Sequence, residues 1–276
     1  GKAALAASPT QDVVDWYETQ NGLYTKDDNS YDPQNPYINR DPRFYNNILY
    51  NGVHWPNGLT GDTLELYYED VAGGLTAKDR CYDRNALPQS ITGYLTRKFW
   101  PEGISHGQVA GQVDCIVPAV WFRVSEAYLN YAEAAYEASG RSNIDAQFPA
   151  SATYTAKSAI NKIRNRVGMP DVNAMYLNNP DFIEKIRNER AVEFCFEDGH
   201  RWWDIRRWYI AHEEDVRTVH IMMLKGTNDL ANHPTGFIFS VEQYETVKVF
   251  EDRHYLYPLN HDFVAIHDEF DQNPGW

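Results

Sequence analysis

The chain has 276 residues, 43% of them hydrophobic and 23% charged, which is ordinary for a folded globular protein. Its net charge of −14 is opposite to that of most nucleic-acid binders and argues against docking onto anionic lipid through a basic patch. No apolar run approaches the ~20 residues needed to span a bilayer, so the composition fits an extracytoplasmic or a cytosolic protein equally well.

Turn-forming residues crowd the stretch 8–120, which predicts a loop-rich region. Within it we expect a helix over Thr10–Thr19, because its apolar residues lie on one side and Asn21-Gly22 would end it. A short strand is predicted over Phe44–Tyr50. Long ordered loops in a compact domain are usually functional, so this part is expected to present the ligand site.

The stretch 121–212 has the apolar periodicity of helices and is predicted to form the scaffold. A first stripe comprises Trp121, Val124, Tyr128, Leu129, Ala132 and Ala135. A second comprises Ala156, Ala159, Ile160, Ile163 and Val167, with Gly168 as a left-handed cap and Pro170 as the stop. The two helices begin about 34 residues apart, the tetratricopeptide period, which predicts a repeat-like αα-hairpin.

Two further helices are predicted, one starting at Asn179-Pro180-Asp181 and one over Trp202–His212. The final stretch, 213–276, returns to loops and short strands, with strands predicted over Phe237–Val241 and Tyr255–Leu259. The end, Gln272–Trp276, has no helix or strand signal. We expect the terminal segment Arg253–Trp276 to wrap back onto the body with Trp276 as an anchor.

A dense charged and aromatic run, IRNERAVEFCFEDGHRWWDIRRW, occupies Ile186–Trp208. Its charges recur three and four residues apart, where opposite signs meet on adjacent helical turns. We interpret them as a structural ion network formed by Arg187, Glu189, Arg190, Glu193 and Arg206. An acid–base pair is the catalytic alternative, but a glycosidase needs two carboxyls about 5–10 Å apart across a cleft. Glutamates one turn apart on one helix point the same way, so no catalytic residues are assigned.

The aromatic residues of the loop-rich part are candidate ligand contacts. A pyranose ring stacks its C–H face on a flat aromatic ring and needs polar side chains for its hydroxyls. Trp55, beside Pro56-Asn57, is the best single candidate. The full predicted set is Trp55, Tyr24, Tyr31, Tyr67, Tyr68, Asn51, Asn57 and Trp100, any of which could instead anchor its loop.

No sequence pattern predicts a metal centre or a cofactor. The nine histidines have no zinc-type spacing, and phosphate-binding and dinucleotide-binding motifs are absent from the sequence. An incidental Ca²⁺ at Asp27 and Asp28 is the remaining metal alternative, without EF-hand spacing to support it. The string Arg40-Asp41-Pro42-Arg43 is interpreted as a structural corner, with an anion-contacting arginine as the alternative.

Five spaced strings together resemble the SusD/RagB family of Bacteroidetes outer-membrane nutrient-binding proteins. They are RDPRFYNNILYNG (40–52), FRVSEAYLNYAEAAYE (122–137), AINKIRNRVGMP (159–170), the run at 186–208, and RHYLYPLN with QNPGW at 253–276. The resemblance implies a mainly α, SusD-like fold with tetratricopeptide-like helical hairpins, long ordered loops and a few short strands. On this view residues 1–276 form a single C-terminal region of a longer protein.

The resemblance also implies a function. It implies non-catalytic binding of oligosaccharides at the cell surface and their delivery to a SusC-like TonB-dependent transporter. A lipid anchor in an upstream part would hold the protein on the outer membrane, and no nucleic acid would be bound. Three alternatives stay open: a peptide-binding receptor of the same architecture, an α-helical glycosidase, and a purely structural module that contacts the transporter.

Overall fold

The computed structural model describes residues 8–58, 61–71, 74–77, 90, 92–99, 120–178, 181–197, 199–244, 248–266, 269 and 271–276. The helices in these ranges are α1 Gln11–Asp15, α2 Pro42–Asn47, α3 Val124–Ala138, α4 Ala156–Arg166, α5 Asp181–Glu193, α6 His200–Arg207, α7 Glu214–Arg217 and α8 His261–Ile266. The strands are β1 Ile48–Leu49, β2 His54–Gly58, β3 Gly61–Thr63, β4 Tyr68–Val71, β5 Gly74–Ala77, β6 Leu95–Thr96, β7 His220–Gly226 and β8 Phe237–Gln243. Short 3₁₀ turns occupy Ala174–Tyr176 and Asp252–Tyr255.

Helices α4 and α5 both pack on α3, around the largest hydrophobic cluster of the described residues. The α4 helix begins with a reciprocal capping box between Thr155 and Ser158 and ends before Gly168, whose φ of +82° fits the predicted left-handed cap. The first predicted stripe is only partly buried: Leu129, Ala132 and Ala135 face this core, whereas Trp121 and Val124 are 86% and 70% exposed. The prediction of a mainly α protein with a few short strands is confirmed, and its tetratricopeptide-like character stays a prediction.

A four-stranded sheet forms the second layer, with strand order β5-β4-β7-β8. The outer pairs are antiparallel, and β4 pairs with β7 in parallel where Tyr68 lies opposite Lys225. Met222 and Leu224 of β7 enter a second core with residues of α1 and α2. Strand β7 was not predicted from the sequence. It contacts β4 and α1 and so helps to join the loop-rich first part to the C-terminal part.

Gly93 lies where the loop before β6 crosses β7. Its φ is +80°, and a Cβ built on it would lie 2.5 Å from the Met222 carbonyl oxygen. The backbone of Met222 donates to the Thr92 carbonyl at 3.0 Å, so the two segments are in direct contact. Only glycine fits this crossing without displacing one of the two chains.

Two predicted elements of the first part differ from the structure because side chains compete for the backbone. The predicted helix 10–19 stops at Asp15, since the buried Arg40 guanidinium donates to the carbonyls of Val14 and Tyr17 at 2.8 Å each. The predicted strand 44–50 is mostly helix α2, because Asp41 caps the Arg43 amide and Pro42 occupies the first helical position. Only β1 at its end is extended.

Two predictions of the last third are also wrong in extent or type. The helix predicted over 202–212 is α6, which starts at His200 and ends at Arg207, and Tyr209 with a φ of +58° prevents its continuation. The strand predicted over 255–259 is absent from the described chain. There the carbonyls of Tyr255 and Leu256 accept hydrogen bonds from the side chains of Arg206 and Trp276 instead of from a neighbouring strand.

Candidate functional site

The described residues enclose a groove of about 710 Å³ between α1, α6, α7 and the segment 248–258. We call it the aromatic groove. Its walls are largely apolar, and its rims carry charged side chains. Its lining residues include Asp12, Trp16, Arg201, Trp202, Arg206, Asp215, Arg217, Lys248, Tyr257 and Trp276.

One turn of α6 sets the central wall of the groove. Trp202 and Arg206 are four residues apart and therefore share a helix face. The Trp202 indole donates to the Tyr257 hydroxyl at 3.0 Å, and the Arg206 guanidinium lies 4.5 Å from the Tyr257 ring centre and 5.1 Å from that of Trp202. Arg206 also donates to the Tyr255 carbonyl. These contacts fix both rings while leaving much of their faces open.

The C-terminal residue closes one end of the groove. The Trp276 indole donates to the carbonyls of Arg253 and Leu256 at 3.0 Å each, and the Arg253 guanidinium lies 5.2 Å from its ring centre. These contacts hold Trp276 against its own terminal segment, 45% of the side chain stays exposed, and the predicted anchoring onto the body stays a prediction.

The rings of the groove are accessible to a ligand. Trp202 is 40% exposed and Tyr257 54% exposed, and Val249 and Leu256 add exposed apolar surface beside them. Such surface on a folded chain marks a binding or interaction site. Flat rings that are held by hydrogen bonds and stacked guanidinium groups can stack on a sugar with little loss of side-chain entropy.

A second cavity of about 480 Å³ adjoins the groove, and Trp16, Arg201 and Asp215 line both. Its other walls include Tyr24 and Arg187. Arg201 lies at the boundary, with its guanidinium 4.9 Å from the Trp16 ring centre and 6.0 Å from that of Trp208. Burial lowers the pKa of Arg201.

The predicted ligand residues are distributed over both layers. Tyr24 is half-buried, edge-on to Tyr176 at 5.1 Å, and lines the second cavity. Tyr31 is half-buried with Arg40 over its ring, and Tyr67 is edge-on to Phe237 at 5.0 Å.

Tyr68 and Asn51 belong to the sheet side of the molecule. Tyr68 begins β4, and Asn51 is buried with its side-chain oxygen accepting from the Leu66 amide at 2.8 Å, a structural contact. Trp100 and the side chains of Trp55 and Asn57 lie outside the described residues.

Glu189 and Glu193 of the 186–208 run form buried ion pairs with other elements rather than with their own helix. Nine side chains of alternating sign make what we call the ion chain, in the order Lys185, Glu18, Arg164, Glu189, Arg43, Glu193, Arg123, Glu197 and Lys98. Its central contacts are Arg43 to Glu189 at 2.6 Å and Arg43 to Glu193 at 3.1 Å. It therefore links α2, α4 and α5.

The other members of the predicted network have separate partners. Arg190 pairs with buried Asp204 at 3.0 Å, and Arg187 pairs with Glu184 at 2.7 Å. Arg206 belongs to the aromatic groove. The structure thus brings Glu189 and Glu193 together through Arg43 and leaves the three arginines outside the ion chain.

The ion chain controls the ionisation of its carboxylates. Burial by itself raises the pKa of Glu193, but the opposing effect of Arg43, Arg123 and Arg166 is larger and lowers the pKa to about 2. The pKa of Glu189 is lowered in the same way by Arg43 and Arg164 against the effect of burial. Both groups are therefore anions at neutral pH with their oxygens held by guanidinium groups.

The loop carboxylates named as a calcium alternative have protein partners. Asp28 accepts from Thr19 at 2.5 Å and from Ser30 at 2.6 Å, which holds its pKa below the usual value, and Asp27 accepts from the Tyr176 hydroxyl at 2.7 Å. Among the residues that the structure describes, no three His, Cys, Asp or Glu side chains are grouped as metal ligands would be.

The groove was missed because Arg206 was assigned to a structural ion network and the candidate rings were sought in the loop-rich first part. The signal was in the sequence: three tryptophans within seven residues of 202–208, and Trp276 at the end. The local sequence pattern does not reveal that Trp202 and Trp203 are exposed while the neighbouring Asp204 is buried. No described helix is long and apolar enough to cross a membrane.

The chain is similar to known proteins over nearly its whole length. The model of the SusD family matches residues 1–276. A solved SusD-like protein from Bacteroides fragilis shares 27% identity with a TM-score of 0.66, covering 98% of this chain and 47% of that one. A second, described as a SusD-like carbohydrate binding protein from the same species, shares 26% identity with a TM-score of 0.59, covering 94% and 47%.

The chain thus spans about half the length of these solved structures. No functionally curated protein matches the chain.

Proposed function

Because the chain belongs to the SusD family, we propose that it binds oligosaccharides at the cell surface without turning them over. Bound glycan passes to a SusC-like TonB-dependent transporter, and a lipid anchor in a further part of the protein holds it on the outer membrane. The aromatic groove is the proposed contact surface of this chain.

The exposed, fixed rings of the groove are the observation that carries the proposal. Trp202 and Tyr257 present open faces next to charged side chains, which matches the two needs of a sugar: a flat apolar surface for its C–H face and polar groups for its hydroxyls. The description of one similar structure as carbohydrate binding supports the same class of ligand. The lowered pKa of Glu193 favours an ion-paired structural role for that acid over proton transfer at neutral pH.

Calorimetry of the 276-residue chain against a panel of neutral and acidic oligosaccharides tests the proposal. A ring face that covers about 80 Å² of sugar contributes about 2 kcal/mol, or about 30-fold in affinity. Trp202→Ala should lose about that factor, whereas Trp202→Phe, which keeps a flat ring, should lose much less.

Trp121→Ala is the matched control, because Trp121 is 86% exposed and does not line the groove. Equal affinities of all three variants and the parent chain would show that the groove is not the glycan surface. Heat with peptides and none with any glycan would replace the proposal by the peptide-receptor alternative.

The transport role needs a cellular measurement. Deleting the gene should abolish uptake of the glycan that the chain binds, while cell extracts should hydrolyse that glycan as before. Loss of hydrolysis in the extract would instead indicate an enzyme.

A further inference from the structure

The cations that line the aromatic groove differ from those of the ion chain because no described carboxylate lies within ion-pair distance of them. Arg201, Arg206, Arg217 and Lys248 line it, and within the described part of the molecule none has a carboxylate partner. Arg217 and Lys248 donate only to backbone carbonyls, of His212 at 2.9 Å and of Val216 at 3.3 Å. Four such cations form a local positive excess on a chain of net charge −14.

The acids of the groove do not cancel that excess. Asp12 accepts from both the amide and the ring of His220, at 2.8 and 2.6 Å. Asp215 lies at the boundary with the second cavity. Two carboxylates therefore face four cations, and one of the two is already engaged.

Arg201 is the most informative of the four. Its guanidinium has no hydrogen-bond acceptor among the described residues and lies between the rings of Trp16 and Trp208. All five of its N–H donors are thus left to solvent or to a ligand. Burial lowers its pKa despite the opposing attraction of Asp204 and Glu184, which reflects the cost of removing water from a charge that no described carboxylate contacts directly. A bound anion would supply that partner.

We propose that the aromatic groove selects anionic saccharides, those that carry carboxylate or sulfate groups, and that Arg201 is the cation that selects them. The inference rests on the proposed function and specifies its glycan class. A guanidinium can bind either oxyanion through two parallel hydrogen bonds, which a neutral hydroxymethyl group cannot match. Trp202 and Tyr257 would stack on sugar rings regardless of their charge.

Calorimetry with a chemically matched ligand pair tests the charge preference directly. Hexagalacturonic acid and its fully methyl-esterified hexamer share one sugar backbone, and each ionised carboxylate of the acid is a neutral methyl ester in the hexamer. We expect the acid to bind the 276-residue chain about tenfold more tightly at low salt, and the difference to shrink at high salt. A heparin-derived hexasaccharide, run in parallel, determines whether sulfate serves as well as carboxylate.

Variants assign the preference to a residue. Arg201→Gln should remove most of the tenfold difference by weakening the binding of the acid far more than that of the esterified hexamer, and Arg201→Lys should restore part of the difference. Lys248→Gln is a second test with a smaller expected loss. Arg141→Gln is the control, because Arg141 is paired with Glu137 on α3, away from the groove. Circular dichroism of each variant checks that it is folded.

Several outcomes would overturn the inference. Equal affinity for the two hexamers, or a preference that survives Arg201→Gln, would refute it while leaving glycan binding intact. Hexaglutamate binding as tightly as hexagalacturonate would refute the saccharide class. The absence of binding to every saccharide would refute the proposed function as well.

Discussion

The pH dependence of stability should reveal the buried carboxylate of Glu193. Its pKa of about 2 in the fold lies below its usual 4.5, because the lowering by Arg43, Arg123 and Arg166 exceeds the effect of burial. A carboxylate with a lowered folded-state pKa stabilises the fold above its unfolded pKa, and this contribution is lost as the pH falls towards the folded value. The difference of about 2.5 units corresponds to about 3 kcal/mol at neutral pH.

The measurement is denaturant unfolding of the parent chain and of Glu193→Gln at pH 7, 5, 4 and 3. Removing one partner of a buried ion pair costs about 3–5 kcal/mol, so Glu193→Gln should be that much less stable at pH 7. The gap between the two proteins should narrow by about 2 kcal/mol by pH 3, since linkage then leaves the parent less than half of the Glu193 contribution.

An exposed glutamate supplies the control. Glu137→Gln removes an acid that forms a surface pair with Arg141, and its effect should stay below about 1 kcal/mol at every pH. A gap between the parent chain and Glu193→Gln that does not change from pH 7 to pH 3 would refute the reasoning about the lowered pKa.

Three further substitutions probe local features. Gly93→Ala should lower the unfolding free energy by about 2 kcal/mol or more, measured by denaturant titration, since its Cβ meets the Met222 carbonyl and its φ is +80°; an unchanged midpoint would contradict this. Arg40→Met removes a donor from three buried carbonyls and leaves those of Pro36 and Tyr17 with no other donor among the described residues, so it should cost about 4 kcal/mol in the same assay, whereas a loss below 1 kcal/mol would not fit. Trp276→Ala should speed amide exchange within 253–258 while barely changing Tm, and unchanged exchange would argue against its anchoring role.

Elements that depend on neighbours in sequence could be predicted. The apolar spacing of α3 and α4, the Gly168 cap and the alternation in β8 are local signals, and each gives the observed element. The helix predicted over 10–19 failed for a long-range reason, because the guanidinium of Arg40 takes two carbonyls from more than twenty residues away in the chain.

The partners of the charged run were also beyond reach from sequence. Periodicity indicated that Glu189 and Glu193 belong to a network, but it suggested partners one turn away. The structure supplies Arg43, which is 146 and 150 residues distant from the two acids. Spacing rules rank neighbours on one helix and contain no information about which remote element packs there.

The candidate site illustrates the same limit. The tryptophans at 202–208 and at 276 were visible in the sequence, and so was their proximity to arginines. Whether an aromatic residue beside a charge is a brace or an open surface depends on which face the rest of the chain covers. From its sequence context Arg206 was assigned to an ion network. The structure instead places its guanidinium beside the rings of Trp202 and Tyr257 in the groove wall.

The alternating order of the ion chain has a mechanical consequence for the whole molecule. The helical layer and the sheet layer each have a cluster of buried apolar residues, and α5 contributes to both through Ile186 and Val192. Arg43 also links the two layers, because separating α2 from α5 would leave Glu189 and Glu193 without this buried cation. The loss would also disturb the neighbouring ion pair of Glu189 with Arg164. We therefore expect one calorimetric transition for both layers, and replacement of Arg43 should lower its midpoint without dividing it, because α5 still joins the two clusters.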